Sequence, residues 1–163
     1  MLVVLDANPI IGLSKGGIFH LLPRAFHHIY IPKPIWEEVV ERGNGRPGQM
    51  EAEAGRADGW LQVTTTTVPA SFRHDYQLKG NDAYVAKLAV DLRAHLVVTD
   101  DKKLRRAARS LGFNLAGTAA LVAAFKQLDF IPSCRDVLDR MIREEFGIEQ
   151  IHYDSALLQS GEA

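Results

Sequence analysis

The chain has 163 residues, 47% apolar and 24% charged, an ordinary balance for a globular protein and enough length for one domain with a sizeable core. Its net charge of −1 excludes a general electrostatic pull on nucleic acid, so any such binding needs a local basic patch. The single cysteine, Cys134, excludes an internal disulfide and a cysteine-based zinc site, and no apolar run nears the ~18 residues of a membrane span, so the expectation is a cytoplasmic protein with no membrane contact.

Residues 2–5 (LVVL) form an apolar run too short for a helix, which predicts a strand buried on both faces. No basic region precedes it in the manner of a signal peptide. It ends on Asp6, followed by Asn8 and Pro9. Ile10, Ile11, Leu13 and Ile18 then suggest helical turns broken at Gly16-Gly17, and HIYIP reads as a second strand stopped at Pro32. PIWEEVVERG fits a helix with Pro34 in its first turn and Gly43 past its end, followed by a loop at 43–48. QMEAEAGRAD reads as a polar helix, residues 60–65 as a strand, and TTTTVPA as a linker. Asn81 or Asp82 caps a helix in which Val85, Leu88, Ala89 and Leu92 share a face. HLVVT is another buried-type strand, ending in Thr99, Asp100 and Asp101. A helix burying Leu104, Ala107, Ala108 and Leu111 stops at Gly112, FNLAGT gives a short strand, and helices near 118–129, 133–145 and 149–159 close the chain.

Strands that read as apolar runs, alternating with helices, predict a three-layer α/β/α fold with a central, mainly parallel sheet in a single domain over 1–163. In such a sheet the binding crevice lies beyond the carboxyl ends of the strands. Asp6 follows the first strand, and Asp100 and Asp101 follow HLVVT. Right-handed crossovers bring helix amino termini to the same edge, which adds Asp82. Glu38 lies four residues past Pro34, about 6 Å along its helix, and a long side chain can reach back; Glu37 sits about 100° around on another face. Singly, Asp82, Asp100 and Asp101 fit helix caps and Glu38 fits a solvated surface. Asp6 is harder to explain that way, because a strand end between apolar runs is an expensive place for a lone charge. Together the acids repel one another unless cations neutralise them, and oxygen-only ligands select Mg²⁺ or Mn²⁺. Such ions activate water and stabilise an in-line displacement at phosphorus.

VVLDANPIIGL, IPKPIWEEV, NDAYVAKLAVDLRAHLVVTDD and GTAALVAAFKQLDFIPSCRDVLDRMI, in that order and spacing, resemble successive blocks of a PIN-domain protein, closest to the VapC-like branch. The resemblance covers nearly the whole chain. It implies a Mg²⁺- or Mn²⁺-dependent ribonuclease, often the toxin of a toxin–antitoxin pair with a cognate antitoxin, and often a homodimer. The family's acids fall on Asp6, Glu38, Asp82 and the Asp100-Asp101 pair. Asp100 has the better spacing from Asp82 and is favoured, while Asp101 fits a Thr-x-Asp pattern. Asn8 stands where a serine or threonine is usual. In KGNDAYVAK the Gly-Glu pair of the close branch needs a one-residue shift, so Asp82 is matched to the wider family. Asn8 and Thr99 are expected to orient the acids or the scissile phosphate.

The run DKKLRRAARS places Lys102, Lys103, Arg105, Arg106 and Arg109 on a helix starting at the proposed metal edge. It fits a solvated face and also a phosphate-holding surface for RNA, to which Lys33 and Arg46 could add. Ile10, Ile11, Leu13, Phe19, Leu21 and Leu22 fit a dimer face as easily as a core. His27, His28 and His74 lack the spacing of a metal site. SKGG lacks the context of a phosphate loop, no GxGxxG follows a strand, and Asn8 takes the place of the second acid that a DxD phosphatase needs. The alternative to a nuclease is a PIN-fold nucleic-acid- or partner-binding protein with little or no catalytic activity.

Overall fold

The computed structural model describes residues 1–163. Five strands, β1 (Leu2–Leu5), β2 (His28–Pro32), β3 (Leu61–Thr64), β4 (Leu96–Val98) and β5 (Asn114–Ala116), form one sheet in the order β3-β2-β1-β4-β5. Every pairing is parallel; Val3, for example, lies opposite Ile29 on one side and Leu96 on the other. The three-layer α/β/α expectation holds, with a sheet that is wholly parallel. Val3, Val4 and Leu5 are fully buried because helices cover both faces of the central strand.

The chain winds outward from β1 to β3 through α1 (Ala7–Lys15), α2 (Leu22–Ala25), α3 (Lys33–Trp36) and α4 (Gln49–Ala57). It then crosses back over β2 and β1 to β4, carrying α5 (Ala70–Tyr76) and α6 (Asn81–Leu92). After β4 come α7 (Lys102–Ser110), β5, and α8 (Thr118–Gln127), α9 (Cys134–Arg143) and α10 (Gln150–Ser160). Right-handed crossovers put α6 and α7 together on one face, while α1, α8, α9 and α10 pack on the other. The reversal of winding between β1 and β4 opens a crevice at their carboxyl ends, where Asp6 and Asp101 emerge.

One cluster of 39 buried apolar side chains joins both sides of the sheet. Ile10, Leu13, Phe19 and Leu22 belong to it, with at most 2% of each exposed, so these four build the core and are not free to form a dimer face. Only Ile11 and Leu21 of that group are partly exposed. Gly12 is required by close approach: a Cβ there would stand 2.7 Å from the Phe146 ring, which packs across α1. Cys134 is buried at the start of α9, where the Glu162 carboxylate accepts from its backbone N–H at 2.6 Å. No helix is long and apolar enough to cross a membrane.

Two elements differ from expectation. The helix predicted over 34–43 is regular only to Trp36 and continues over Glu37–Glu41 as a wider π turn, in which the Arg42 N–H donates to the Glu37 carbonyl at 2.8 Å. Part of the stretch between β3 and α6 folds as α5, a helix with no fully buried residue, whose apolar signal is the single pair Phe72 and Tyr76 resting on the core.

Candidate active site

Asp6 ends β1 and caps α1: its Oδ1 accepts from the Ala7 N–H at 2.8 Å. Its Oδ2 accepts from the Thr99 hydroxyl at 2.7 Å, and that hydroxyl in turn accepts from the Asp101 N–H at 3.1 Å. Thr99 therefore ties the carboxyl ends of β1 and β4 together. It is fully buried, so it orients an acid and cannot touch a phosphate. Thr99→Val, nearly identical in shape, is expected to reduce stability by about 2 kcal/mol and the melting temperature by about 6 °C, since the buried Asp6 carboxylate loses a donor and the half-buried Asp101 N–H loses an acceptor. Unchanged melting would show that the bridge contributes nothing.

Asp6, Glu38, Asp82 and Asp101, from four separate stretches of chain, line one cleft with Asn8 on its rim. Asp82 stands in the first turn of α6. The cap of that helix is Gly80 rather than Asn81 or Asp82, at a φ of 58° that suits glycine. The Asn81 amide is thereby free to donate to Glu38 Oε2 at 3.1 Å, which draws the glutamate from the π turn towards α6. Asp101 caps α7 through one oxygen, accepting from the Leu104 N–H at 2.8 Å.

Asp100 borders the adjoining space with Asn8, Asp82 and Asp101, but its carboxylate is engaged by another element. Its Oδ1 accepts from the Thr118 N–H at 2.8 Å and its Oδ2 from the Thr118 hydroxyl at 2.6 Å, so it fastens β4 to the start of α8. Gly117 lets it do so, because a Cβ there would stand 2.9 Å from Asp100 Oδ1. Spacing along the chain favours Asp100, but adjacent residues leaving a strand face opposite ways, and the structure turns Asp101 into the cleft.

The electrostatics follow from this crowding. Burial pushes the Asp6 carboxyl up, and Glu38 and Asp101 add to that against the hydrogen bonds from Thr99 and Ala7. Asp82 is raised to about 7, first by burial and then by the negative charges of Asp101, Asp6 and Glu38. The ion pairs of the chain are Lys87–Asp91, Lys102–Glu149 and His152–Glu149, so none neutralises the cleft. Lys79 is the one cation lining it. The acids' donor set is all oxygen and outnumbers that single cation, which suits a hard divalent ion such as Mg²⁺ or Mn²⁺. The carboxylates share an open cleft without three of them closing on a single point.

The basic residues of α7 divide by helical phase. Lys103 and Arg106 face a cleft shared with α5, while the Lys102 ammonium lies 3.5 Å from Glu149 and Arg105 donates inward to the Thr99 carbonyl at 2.9 Å. Arg105 thus ties down the end of β4 through one of its guanidinium nitrogens. Arg46 is likewise engaged by its own loop, donating to the carbonyls of Gly43 and Arg42. Asn81, Lys79 and Thr118 were not indicated by the residue pattern. A Gly-Asn-Asp helix start and a Gly-Thr helix start are the signals that could have suggested the first and last.

A wholly parallel, doubly wound sheet with four acids gathered beyond its central strands defines an α/β domain with a carboxylate-lined cleft at its topological switch point. A family model described as a PIN domain matches residues 2–162, and the chain belongs to the PIN-domain family. PIN domains are generally nucleases that bind nucleic acid, often RNA, and typically use divalent metals such as Mg²⁺. No curated protein matches the chain significantly.

Proposed function

We propose that the chain is a Mg²⁺- or Mn²⁺-dependent endoribonuclease, folded as one PIN-like domain over 1–163. The observation that carries this reading is the shared cleft of Asp6, Glu38, Asp82 and Asp101, crowded enough to raise Asp82 to about 7 and lacking an ion pair. These four carboxylates, with Asp101 rather than Asp100 as the fourth, would draw together around one or two ions. When bound, the ion supplies positive charge to the phosphate and lowers the pKa of an attacking water. Asp6 is held in place by Thr99, and Glu38 by Asn81, so both carboxylates are oriented before substrate arrives. Asn8, exposed on the rim, is placed to donate to a phosphate oxygen. The VapC resemblance extends the reading to a cytoplasmic toxin with a cognate antitoxin, acting as a homodimer.

Purified protein is expected to cleave a labelled single-stranded RNA in Mn²⁺ or Mg²⁺ and to leave it intact in EDTA. Cleavage that survives EDTA would overturn the metal-dependent reading. A second reading, a PIN-fold nucleic-acid- or partner-binding protein with little or no catalysis, draws on the open spacing of the carboxylates. RNA bound but uncut in Mn²⁺ would select it.

A further inference from the structure

Beside the acidic cleft lies a second one, of about 660 Å³, walled by α5 and the 77–80 loop on one side and α7 on the other. Arg73, His74, Tyr76, Lys79, Lys103 and Arg106 line it, and no carboxylate does. None of its four lysine and arginine side chains is in an ion pair. Arg73 is used to shape the wall: it donates to the Gly80 carbonyl at 3.1 Å and lies 5.4 Å from the centre of the Tyr84 ring. Lys79, Lys103 and Arg106 are exposed and their side chains make no hydrogen bond within the protein. In a chain whose net charge is −1, three uncommitted cations in one concave wall are a local binding field and not the overspill of a basic protein.

The two clefts adjoin. Lys79 and Gly80 line both, and Lys103 reaches the space beside Asp82 and Asp101. A polyanion entering the acidic cleft would therefore meet these cations on the α5–α7 side. The Tyr76 ring also stands in the wall, braced by Phe72 with ring centres 4.8 Å apart, and offers a fixed face for an unpaired base. A positive groove with an aromatic platform is the combination that recognises single strands.

We propose that the α5–α7 cleft is a strand-holding subsite that grips the phosphodiester backbone of single-stranded RNA next to the scissile phosphate, on one side of the cut only. This rests on the nuclease reading for what the neighbouring cleft does, but binding and cutting separate by experiment. Fluorescence anisotropy of a 5′-fluorescein oligouridylate in EDTA reports the subsite without turnover. Lys79→Ala/Lys103→Ala/Arg106→Ala is expected to weaken binding at least roughly tenfold and to make the slope of log affinity against log salt shallower by about 2, at ~0.7 per lost phosphate contact. Lys15→Ala/Lys126→Ala/Arg143→Ala, which removes equal charge from α1, α8 and α9 on the opposite face of the sheet, is expected to leave both unchanged. Equal weakening by the two triple variants, no weakening by the first, or no binding by the unaltered protein would each overturn the subsite. An RNA duplex that competes as well as the single strand would also overturn it. Loss of cleavage in Asp6→Asn with binding intact bears on the acidic cleft alone, so the two readings fail separately.

Discussion

Asp101→Asn is expected to lower metal-dependent RNA cleavage roughly a thousandfold, whereas Asp100→Asn stays within about threefold of the unaltered protein. The two residues are neighbours with the same chemistry, so a difference between them isolates geometry. Asp101 lines the acidic cleft and adds to the raised pKa values of both Asp82 and Asp6. Asp100 spends both oxygens on Thr118, and an asparagine there still accepts from the Thr118 N–H. Loss of a charged ligand for the ion removes several kcal/mol of transition-state stabilisation, and each ~1.4 kcal/mol is tenfold in rate. Asp101→Asn also keeps an oxygen for the Leu104 N–H, so the α7 cap survives and unfolding does not confuse the comparison. Equal losses in the two variants, measured as initial rates on one RNA, would remove Asp101 from its role.

The second large effect is the coupling of proton and metal at Asp82. Its carboxyl is raised from 3.8 to about 7 by burial and by the charges of Asp101, Asp6 and Glu38. A folded-state pKa above the unfolded one means that the native protein holds the proton more tightly. Metal-free protein is therefore expected to lose stability as pH rises from about 4 through 7, with the full penalty in place above that; Asp6, raised by burial, acts in the same direction. A divalent cation needs the ionised form, so apparent Mn²⁺ affinity rises with pH up to about 7 and then levels off. Melting curves between pH 5.5 and 8.5 should fall with pH in EDTA, and the increase given by Mn²⁺ should be largest at the alkaline end. Asp82→Asn should flatten most of the EDTA trend. A metal-free melting temperature that climbs across this range would contradict the crowding inferred here.

Much of the fold was legible because its strands are apolar runs bounded by breakers, and a buried parallel sheet writes that pattern directly. The convergence of Asp6 and Asp82 followed from strand ends and helix starts meeting at one edge. Three features were not legible. The π turn at Glu37–Glu41 arises from a shift in backbone pairing that leaves the apolar spacing of Val39 and Val40 looking helical. α5 rests on the core through Phe72 and Tyr76 alone, too short a signature to mark its side of the basic cleft. The different surroundings of Asp100 and Asp101 come from Thr118, 18 residues after Asp100 in sequence, whose N–H and hydroxyl engage the Asp100 carboxylate. The basic run was half legible: a period of 3.6 separates Lys103 and Arg106 from Lys102 and Arg105, but only α5 shows which pair has a cleft to face.

The long return from β3 to β4 passes over two strands without pairing to either, and it delivers α5, Lys79, Gly80, Asn81 and Asp82 in one uninterrupted peptide. That arrangement makes the segment a cassette. Residues 65–82 pair with no strand, so changes at their exposed positions alter the groove and its neighbouring acid together and leave every register as it is, while Leu78 keeps the segment anchored in the core. Diversity in what is gripped can thus arise on this crossing without renegotiating the scaffold beneath it.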